Sequence, residues 1–145
     1  MKPYLLGIDI GTSACKVAVF EKSGTVVAAA NGDYPVYYPH EGWAEQNPEE
    51  WWDAVCRATK ETIQKADITA DEIAGIGIDG QSWSAIPIDR EGNVLANTPI
   101  WMDTRAQSIC NRLNQEIGQE KIFEVAGNSL QPSYSTAKIL WYKEN

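Results

Sequence analysis

The sequence predicts an α/β domain whose β-sheet mixes parallel and antiparallel strands. Three strand-like segments joined by tight turns open the chain, within residues 4–34. An amphipathic helix follows, and further strands and then helices come after it. This order of strands, helix, strands and helices favours a mixed sheet flanked by helices over a regularly repeated βαβ unit.

The first half of the chain carries clear element signals. Strands are predicted at 4–10, 14–20 and 26–34, with turns between them. The first strand is so apolar that we expect it to be buried on both faces. Residues 34–46 are rich in proline and aromatic residues, which predicts a long loop. Asn47 as N-cap, Pro48 and two glutamates then predict a helix to about residue 65. The predicted apolar face of this helix consists of Trp52, Val55, Cys56, Thr59 and Ile63, and Trp51 is also predicted to pack.

The second half is predicted to alternate short strands and helices. A capped turn at 69–72 precedes a strand at 73–79, and another strand is predicted to begin within 83–88. A turn at 89–93 and a short strand near 99–102 follow. Helices are predicted at 104–117, 119–126 and 136–144.

The composition is that of an acidic globular domain. The chain has 145 residues, of which 43% are hydrophobic and 22% charged, enough to form a hydrophobic core. Twelve basic and twenty acidic residues give a net charge of -8. Such a surface repels phosphate backbones, so nucleic acid is not an expected partner. Backbone amides and a bound metal can nevertheless hold a nucleotide.

Cysteine and histidine usage argues against a structural metal. Cys15, Cys56 and Cys110 lack metal-ligand spacing and are interpreted as reduced, buried thiols, and His40 as a surface residue. Charged residues interrupt the apolar start of the chain, which therefore resembles neither a signal peptide nor a membrane span. The sequence predicts a cytoplasmic protein without a membrane partner.

The strongest chemical signal is Asp9-Ile10-Gly11-Thr12-Ser13, followed by Lys16, between two predicted strands. A carboxylate at the end of a buried strand requires a positive partner. A glycine turn exposes backbone N–H groups, and the two hydroxyls add donors. The pattern indicates Mg²⁺ at Asp9 and phosphates over the turn. Alternatively, Asp9 merely caps its own hairpin turn.

Five ordered motifs resemble one known family. They are Gly7-Ile-Asp-Ile-Gly-Thr-Ser13, Trp43-Ala-Glu-Gln-Asn-Pro-Glu-Glu-Trp-Trp52, Ile76-Gly-Ile-Asp-Gly-Gln81, Trp101-Met-Asp-Thr-Arg105 and Lys138-Ile-Leu-Trp141. In this order they resemble the FGGY carbohydrate kinases, and xylulose kinases in particular. The resemblance implies a ribonuclease H-like fold of the actin/hexokinase type. It also implies an ATP- and Mg²⁺-dependent enzyme that phosphorylates a sugar, such as a pentulose.

The resemblance also assigns roles to residues. It places the metal at Asp9, the phosphates at Gly11, Thr12, Ser13 and Lys16, and the sugar at Gln81, Ser82, Trp83, Trp101 and Asp103. Xylulose kinases typically carry Gln-Met-His-Gly where this chain has Gln81-Ser-Trp-Ser84. The indole of Trp83 then replaces an imidazole and offers only one donor.

Other interpretations of these residues remain open at the sequence level. Trp83 is also compatible with a core position. Asp103 is compatible with a helix cap, and Arg105 then with an exposed ion pair. Lys16 is compatible with a merely solvated strand position.

The resemblance further implies that residues 1–145 form an incomplete N-terminal sugar-kinase domain. The aspartate base and the C-terminal nucleotide-binding lobe are expected downstream, so the chain alone is expected to be inactive. A bare inter-lobe surface would expose apolar patches and permit homo-oligomers. A non-catalytic sugar-sensing module and an actin-like ATPase are the alternative functions of this fold.

Overall fold

A computed structural model describes residues 3–145, which divide into two compact units. The first unit comprises the residues up to Pro35 together with Pro48–Gln81. The second comprises Val36–Asn47 and Ser82–Asn145. The elements in chain order are β1 (Tyr4–Ile10), β2 (Ala14–Glu21), β3 (Val26–Asp33), β4 (Glu45–Gln46), α1 (Pro48–Lys65), a 3-10 turn (Ala70–Glu72), β5 (Ile73–Gly80), β6 (Thr98–Pro99), α2 (Gln107–Glu116), α3 (Gln119–Ala126) and α4 (Ser135–Glu144).

The first unit is built on a four-stranded mixed sheet of order β3-β2-β1-β5. The hairpin-connected strands β1, β2 and β3 run antiparallel, and β5 returns parallel to β1 after α1. The predicted mixed sheet is therefore confirmed. The capped turn predicted at 69–72 is also present, because the Glu72 carboxylate accepts from the Thr69 N–H at 2.9 Å and from the Thr69 hydroxyl at 3.2 Å.

Helix α1 has the predicted bounds, but its predicted apolar face is only partly correct: Val55 is buried, whereas Trp52 and Cys56 are exposed. The buried residues are Ala54, Val55, Ala58 and Thr62, whereas Trp52 is 64% exposed. The reason is the close approach of α1 to the sheet at Gly32. A Cβ there would lie 2.8 Å from the Ala54 carbonyl oxygen and 2.9 Å from its Cβ, so only small residues can face the strand. Trp51 packs against the core as predicted, and Trp52 does not.

The core of this unit lies between α1 and one face of the sheet. It contains Leu6, Ile8, Val17 and Val19 from the first hairpin. The opposite face of the sheet carries Leu5, which is 42% exposed. At the edge of the sheet, β5 leaves Ile76 and Ile78 uncovered, at 61% and 71% exposed. The prediction that β1 is buried on both faces is therefore wrong within residues 3–145, because α1 covers only one of them.

The second unit consists mainly of helices. Ala106 and Cys110 of the α2 region pack with Ala137 of α4. The strand predicted to begin within 83–88 is wrong: in this segment Ile88 forms a single isolated bridge with Val94, around a turn closed by Asp89 and Asn93. Pro87 explains this, since it has no N–H to donate to a strand ladder.

The thiols differ from the prediction at one position. Cys15 and Cys110 are buried and reduced, and burial raises the pKa of both thiols, with Asp9 adding to the shift at Cys15. Cys56 is exposed, because it lies on the outer face of α1. No helix within residues 3–145 has the length and apolar character needed to cross a membrane.

Candidate functional site

The β1–β2 turn brings the predicted metal and phosphate residues together. Asp9 lies opposite Lys16 in the antiparallel register and opposite Asp79 in the parallel register with β5. The Lys16 Nζ is 3.7 Å from an Asp9 carboxylate oxygen, and the two side chains are 67% and 49% exposed. An ion pair this exposed is weak, so Asp9 can exchange it for another cation.

Gly11 shapes the turn rather than presenting its amide to a ligand. Its N–H donates to the Ala14 carbonyl oxygen at 3.1 Å, and a Cβ at Gly11 would lie 3.1 Å from that same oxygen. Its carbonyl accepts hydrogen bonds from the Tyr34 hydroxyl and, at 3.5 Å, from the Gln81 amide. The Gly11 N–H is therefore engaged within the turn in this structure, and the assignment of Gly11 to phosphate stays a prediction. Ser13, at the tip of the turn, is exposed.

The carboxylates next to this turn suit a hydrated Mg²⁺. Asp9, Lys16 and Asp79 line one open cavity of about 640 Å³ on the first unit. Mg²⁺ binds through one or two carboxylates, while water and substrate phosphates complete its shell. Within residues 3–145 no cluster of three or more His, Cys, Asp or Glu side chains could hold a metal by itself. The residues present fit Mg²⁺ bound together with a nucleotide.

Trp83, in the second unit, has an unusual backbone conformation. Its φ is +68°, in the left-handed region that bulky residues rarely adopt. The residue is 47% exposed, so it is not a core tryptophan. Its ring lies 4.8 Å from that of Tyr134, and both rings line an open, mainly apolar cavity of about 520 Å³. Tyr134 was missed at the sequence level because no motif contains it.

A buried lysine holds the backbone of Trp83. The Lys138 ammonium donates to the Trp83 carbonyl at 3.0 Å and to the Ile100 carbonyl at 2.8 Å. Burial lowers the pKa of Lys138 to about 8; the negative charge of Asp103 opposes this shift and Arg105 adds to it. A left-handed conformation of this kind costs about 1–3 kcal/mol and persists only where its surroundings impose it.

Asp103 and Arg105 form the polar centre of the second unit. The fully buried Asp103 carboxylate accepts from the Ala44 N–H at 2.7 Å and from the Arg105 side chain at 2.8–3.0 Å. The same guanidinium lies 2.7 Å from Glu45 and 3.8 Å from the centre of the Trp43 ring. Burial disfavours the charged guanidinium, but its hydrogen bonds to Asp103 and Glu45 outweigh this and raise the pKa of Arg105.

This arrangement corrects two interpretations. The Arg105 side chain is 3% exposed, so the interpretation that Arg105 forms an exposed ion pair is wrong. Helix α2 begins at Gln107, beyond the reach of a cap at Asp103. Asp103 has no exposed surface, so we assign it a positioning role rather than the predicted direct contact with a sugar. Trp101, 44% exposed, keeps an accessible ring.

The Gln81–Trp83 segment crosses from one unit to the other. Gln81 ends the first unit, where its N–H donates to the Ile10 carbonyl at 2.9 Å and its side chain reaches Gly11. Ser82, the first residue of the second unit's later segment, is exposed. Gln81 is thus part of the β1–β2 turn site, which its sequence motif did not indicate.

Comparison with known proteins agrees with this geometry. The model of the N-terminal domain of the FGGY family of carbohydrate kinases matches residues 4–145. A glycerol kinase of Leifsonia xyli subsp. xyli is 35% identical over 146 residues, which cover 100% of this chain and 29% of that protein. A xylulose kinase of Bacillus subtilis is 32% identical over 142 residues, which cover 98% of this chain and 28% of that protein. The chain thus spans less than a third of the length of these relatives.

Solved structures confirm the predicted actin/hexokinase type of fold. The xylulose kinase of Rhodospirillum rubrum superposes with a TM-score of 0.90 at 28% identity, over 98% of this chain and 29% of that one. The ligand-bound xylulose kinase of Lactobacillus acidophilus superposes with a TM-score of 0.88 at 30% identity, over 97% of this chain and 28% of that one. With its β1–β2 turn site and a family match over nearly its whole length, the chain belongs to the FGGY family of carbohydrate kinases, as an N-terminal domain.

Proposed function

We propose that the protein carrying this chain transfers the γ-phosphoryl group of Mg·ATP to a hydroxyl of a sugar or polyol. The observation that carries the proposal is the pairing of Asp9 with Lys16 and Asp79 around the β1–β2 turn. Carboxylates that can hold a metal, next to a glycine turn and an exposed ammonium, meet the requirements of phosphate chemistry.

The residues of this chain then have defined tasks. Asp9 would hold Mg²⁺, which would supply the neutralisation of phosphate charge. Lys16 would leave Asp9 and pair with a phosphate oxygen. Thr12 and Ser13 hydroxyls donate to the phosphates from a turn that Gly11 shapes. A substrate hydroxyl oxygen forms a bond to the γ-phosphorus, and the bond from that phosphorus to the β–γ bridging oxygen breaks. We assign the base that takes the hydroxyl proton to a residue outside this chain.

The proposed sugar contacts are the accessible rings of the second unit together with Gln81 and Ser82. Trp83 and Trp101 expose their indoles, and Tyr134 lies beside Trp83. Aromatic faces suit the C–H surface of a sugar, while their few donors fix its orientation. Asp103 supports this region through Arg105 without touching the ligand.

We favour a pentulose such as xylulose as the substrate, and glycerol is the second candidate. Xylulose kinases occur among both the sequence relatives and the solved structures. Glycerol kinases reach 35% identity, which favours the smaller polyol. The net charge of -8 argues against nucleic acid as a partner. We also propose a cytoplasmic enzyme that binds ATP and a small sugar and has no membrane partner. The exposed apolar side chains of Leu5, Ile76 and Ile78 on β1 and the edge strand β5 are compatible with homo-oligomers.

A coupled ADP-release assay on the full-length protein tests the proposal. We expect Mg-dependent ADP release with D-xylulose or glycerol, and weaker release with gluconate and hexoses in the same panel. If the rate of ADP release were the same without sugar as with each sugar of the panel, the protein would instead be an ATPase. Sugar binding without ADP release would indicate the sensing module.

Replacing Trp83 by histidine is expected to change substrate preference more than stability. The imidazole restores a second hydrogen-bonding atom and removes the extended ring beside Tyr134. We expect the ratio of kcat/KM for D-xylulose and glycerol to change by about 10-fold or more. Because Trp83 is half exposed, its truncation to alanine should cost less than the roughly 3–5 kcal/mol typical of a buried tryptophan.

The matched control for this change is Trp52→Ala, at an exposed tryptophan on α1. It should leave the kcat/KM ratio as in the wild type. An unchanged ratio in Trp83→His and Trp83→Ala, together with a sharply lowered melting temperature, would show that Trp83 serves only the fold.

A further inference from the structure

Lys138 lies fully buried on α4, and no step of the proposed phosphoryl transfer uses it. A buried ammonium is costly unless acceptors surround it. Here two acceptors are main-chain carbonyls from separate loops, those of Trp83 and Ile100. Each loop carries one of the two exposed indoles assigned to the sugar, since Trp101 directly follows Ile100.

The two hydrogen bonds act at the points where these loops are most constrained. On one side, the Trp83 carbonyl belongs to the residue with φ +68°. On the other, the Ile100 carbonyl also accepts from the Asp103 N–H at 3.0 Å, which closes a turn around Trp101. The ammonium therefore joins a strained residue to the base of a tight turn.

Lys138 lies next to the polar centre of the second unit. The charges of Asp103 and Arg105 act on the ammonium in opposite directions, and these two side chains bind each other at 2.8 Å. The ammonium itself donates to the carbonyls of Trp83 and Ile100. A neutral side chain of similar length would fill the space but donate to neither carbonyl.

We propose that Lys138 is a positioning residue that sets the Trp83 and Trp101 indoles in a fixed arrangement for the sugar. Its effect on the sugar rests on the proposed function, whereas the arrangement of the two rings does not. Without the ammonium, Trp83 leaves its left-handed conformation and the turn at Trp101 loosens. The sugar then loses two aromatic contacts, while the nucleotide keeps the β1–β2 turn.

The test compares Lys138→Met with Lys143→Met, an exposed lysine on the same helix, in the full-length protein. The first readout is the indole ¹H–¹⁵N resonances of Trp83 and Trp101, assigned with Trp→Phe variants. Lys138→Met should shift the indole resonances of both Trp83 and Trp101 and leave that of Trp52 on α1 in place. Lys143→Met should shift neither the Trp83 nor the Trp101 resonance. The second readout is kinetic: KM for D-xylulose or glycerol should rise roughly 10-fold or more, since small misplacements are costly, and KM for ATP less than about 2-fold.

Lys138→Arg, which keeps a cation and its donors, should give an intermediate sugar KM and serves as the second variant if Lys138→Met does not fold. If neither variant folds, Lys138 is required for the fold and the proposal is overturned. Unmoved indole resonances, or an unchanged sugar KM in an active enzyme, overturn it as well. Shifted indoles in a protein that phosphorylates no sugar would sustain the positioning role and refute the kinase proposal alone.

Discussion

Replacing Asp9 by asparagine is expected to lower kcat by at least about 100-fold, the scale on which removal of one preorganised charge-stabilising group acts. Asparagine keeps the size of the side chain and removes the charge that would hold Mg²⁺ beside the β1–β2 turn. The sugar KM should stay near the wild-type value, because the proposed sugar rings belong to other residues. The measurement is steady-state ADP release by the full-length protein at several Mg²⁺ concentrations.

Asp71→Asn provides the matched control for Asp9. This aspartate lies exposed in the 3-10 turn and contacts none of the residues assigned to phosphate. Its kcat and Mg²⁺ dependence should equal those of the wild type. If Asp9→Asn keeps more than about a third of the wild-type kcat at saturating Mg²⁺, Asp9 does not hold the catalytic metal and only caps its turn.

Replacing Arg105 by methionine is expected to produce the largest loss of stability. The change leaves the fully buried Asp103 and the mostly buried Glu45 without their shared cation. Removing one partner of a buried ion pair typically costs about 3–5 kcal/mol, because an uncompensated charge remains inside. The stacking of the guanidinium on Trp43 is lost as well. Urea denaturation followed by tryptophan fluorescence measures the change in the free energy of unfolding.

The control for Arg105 is Arg112→Met in the same unit. Arg112 pairs with Glu144 and Glu116 on the surface, where its side chain is 46% exposed. Solvent screens such pairs, so the urea midpoint should barely move. Equal urea midpoints for the two variants would mean that the Asp103–Arg105 network contributes no more to the stability of the fold than a surface ion pair does.

The two units divide the chemistry of this chain in a physically simple way. The first unit presents charge, with Asp9, Lys16 and Asp79 on an open cavity at the sheet. The second presents aromatic surface on loops that are fixed by buried polar groups. Charge suits Mg·ATP, and aromatic faces suit a sugar. Buried groups such as Asp103 and Lys138 then act by keeping loops in place.

Several sequence motifs have a structural explanation once the second unit is known. Trp43 and Glu45 come from one motif, Asp103 and Arg105 from another, and Trp141 from a third. All contact the Arg105 guanidinium or its carboxylate partner. These residues therefore share one ion-pair and aromatic cluster, in which the fold brings three distant motifs together.

Most of the helices and strands, and the position of the turn site, could be predicted from the sequence; the strand within 83–88 was predicted wrongly, and β4 lies within the predicted loop. Alternating apolar residues and turn residues located β1, β2 and β3, and Pro48 with two glutamates located the start of α1. The β1–β2 turn was predictable because Asp9, Gly11 and Lys16 are neighbours in the chain, so their meeting requires only a hairpin. The family resemblance rested on the same local motifs.

The tertiary structure alone decided which side chains are buried and what they contact. Close approach at Gly32 selected the small residues of α1 as its inner face, against the apolar pattern. Glu45 lies 60 residues before Arg105 and Lys138 lies 55 after Trp83, so no local pattern could show these bonds. A buried charge is stable only when such distant partners meet it, and that meeting depends on the packing of the whole unit.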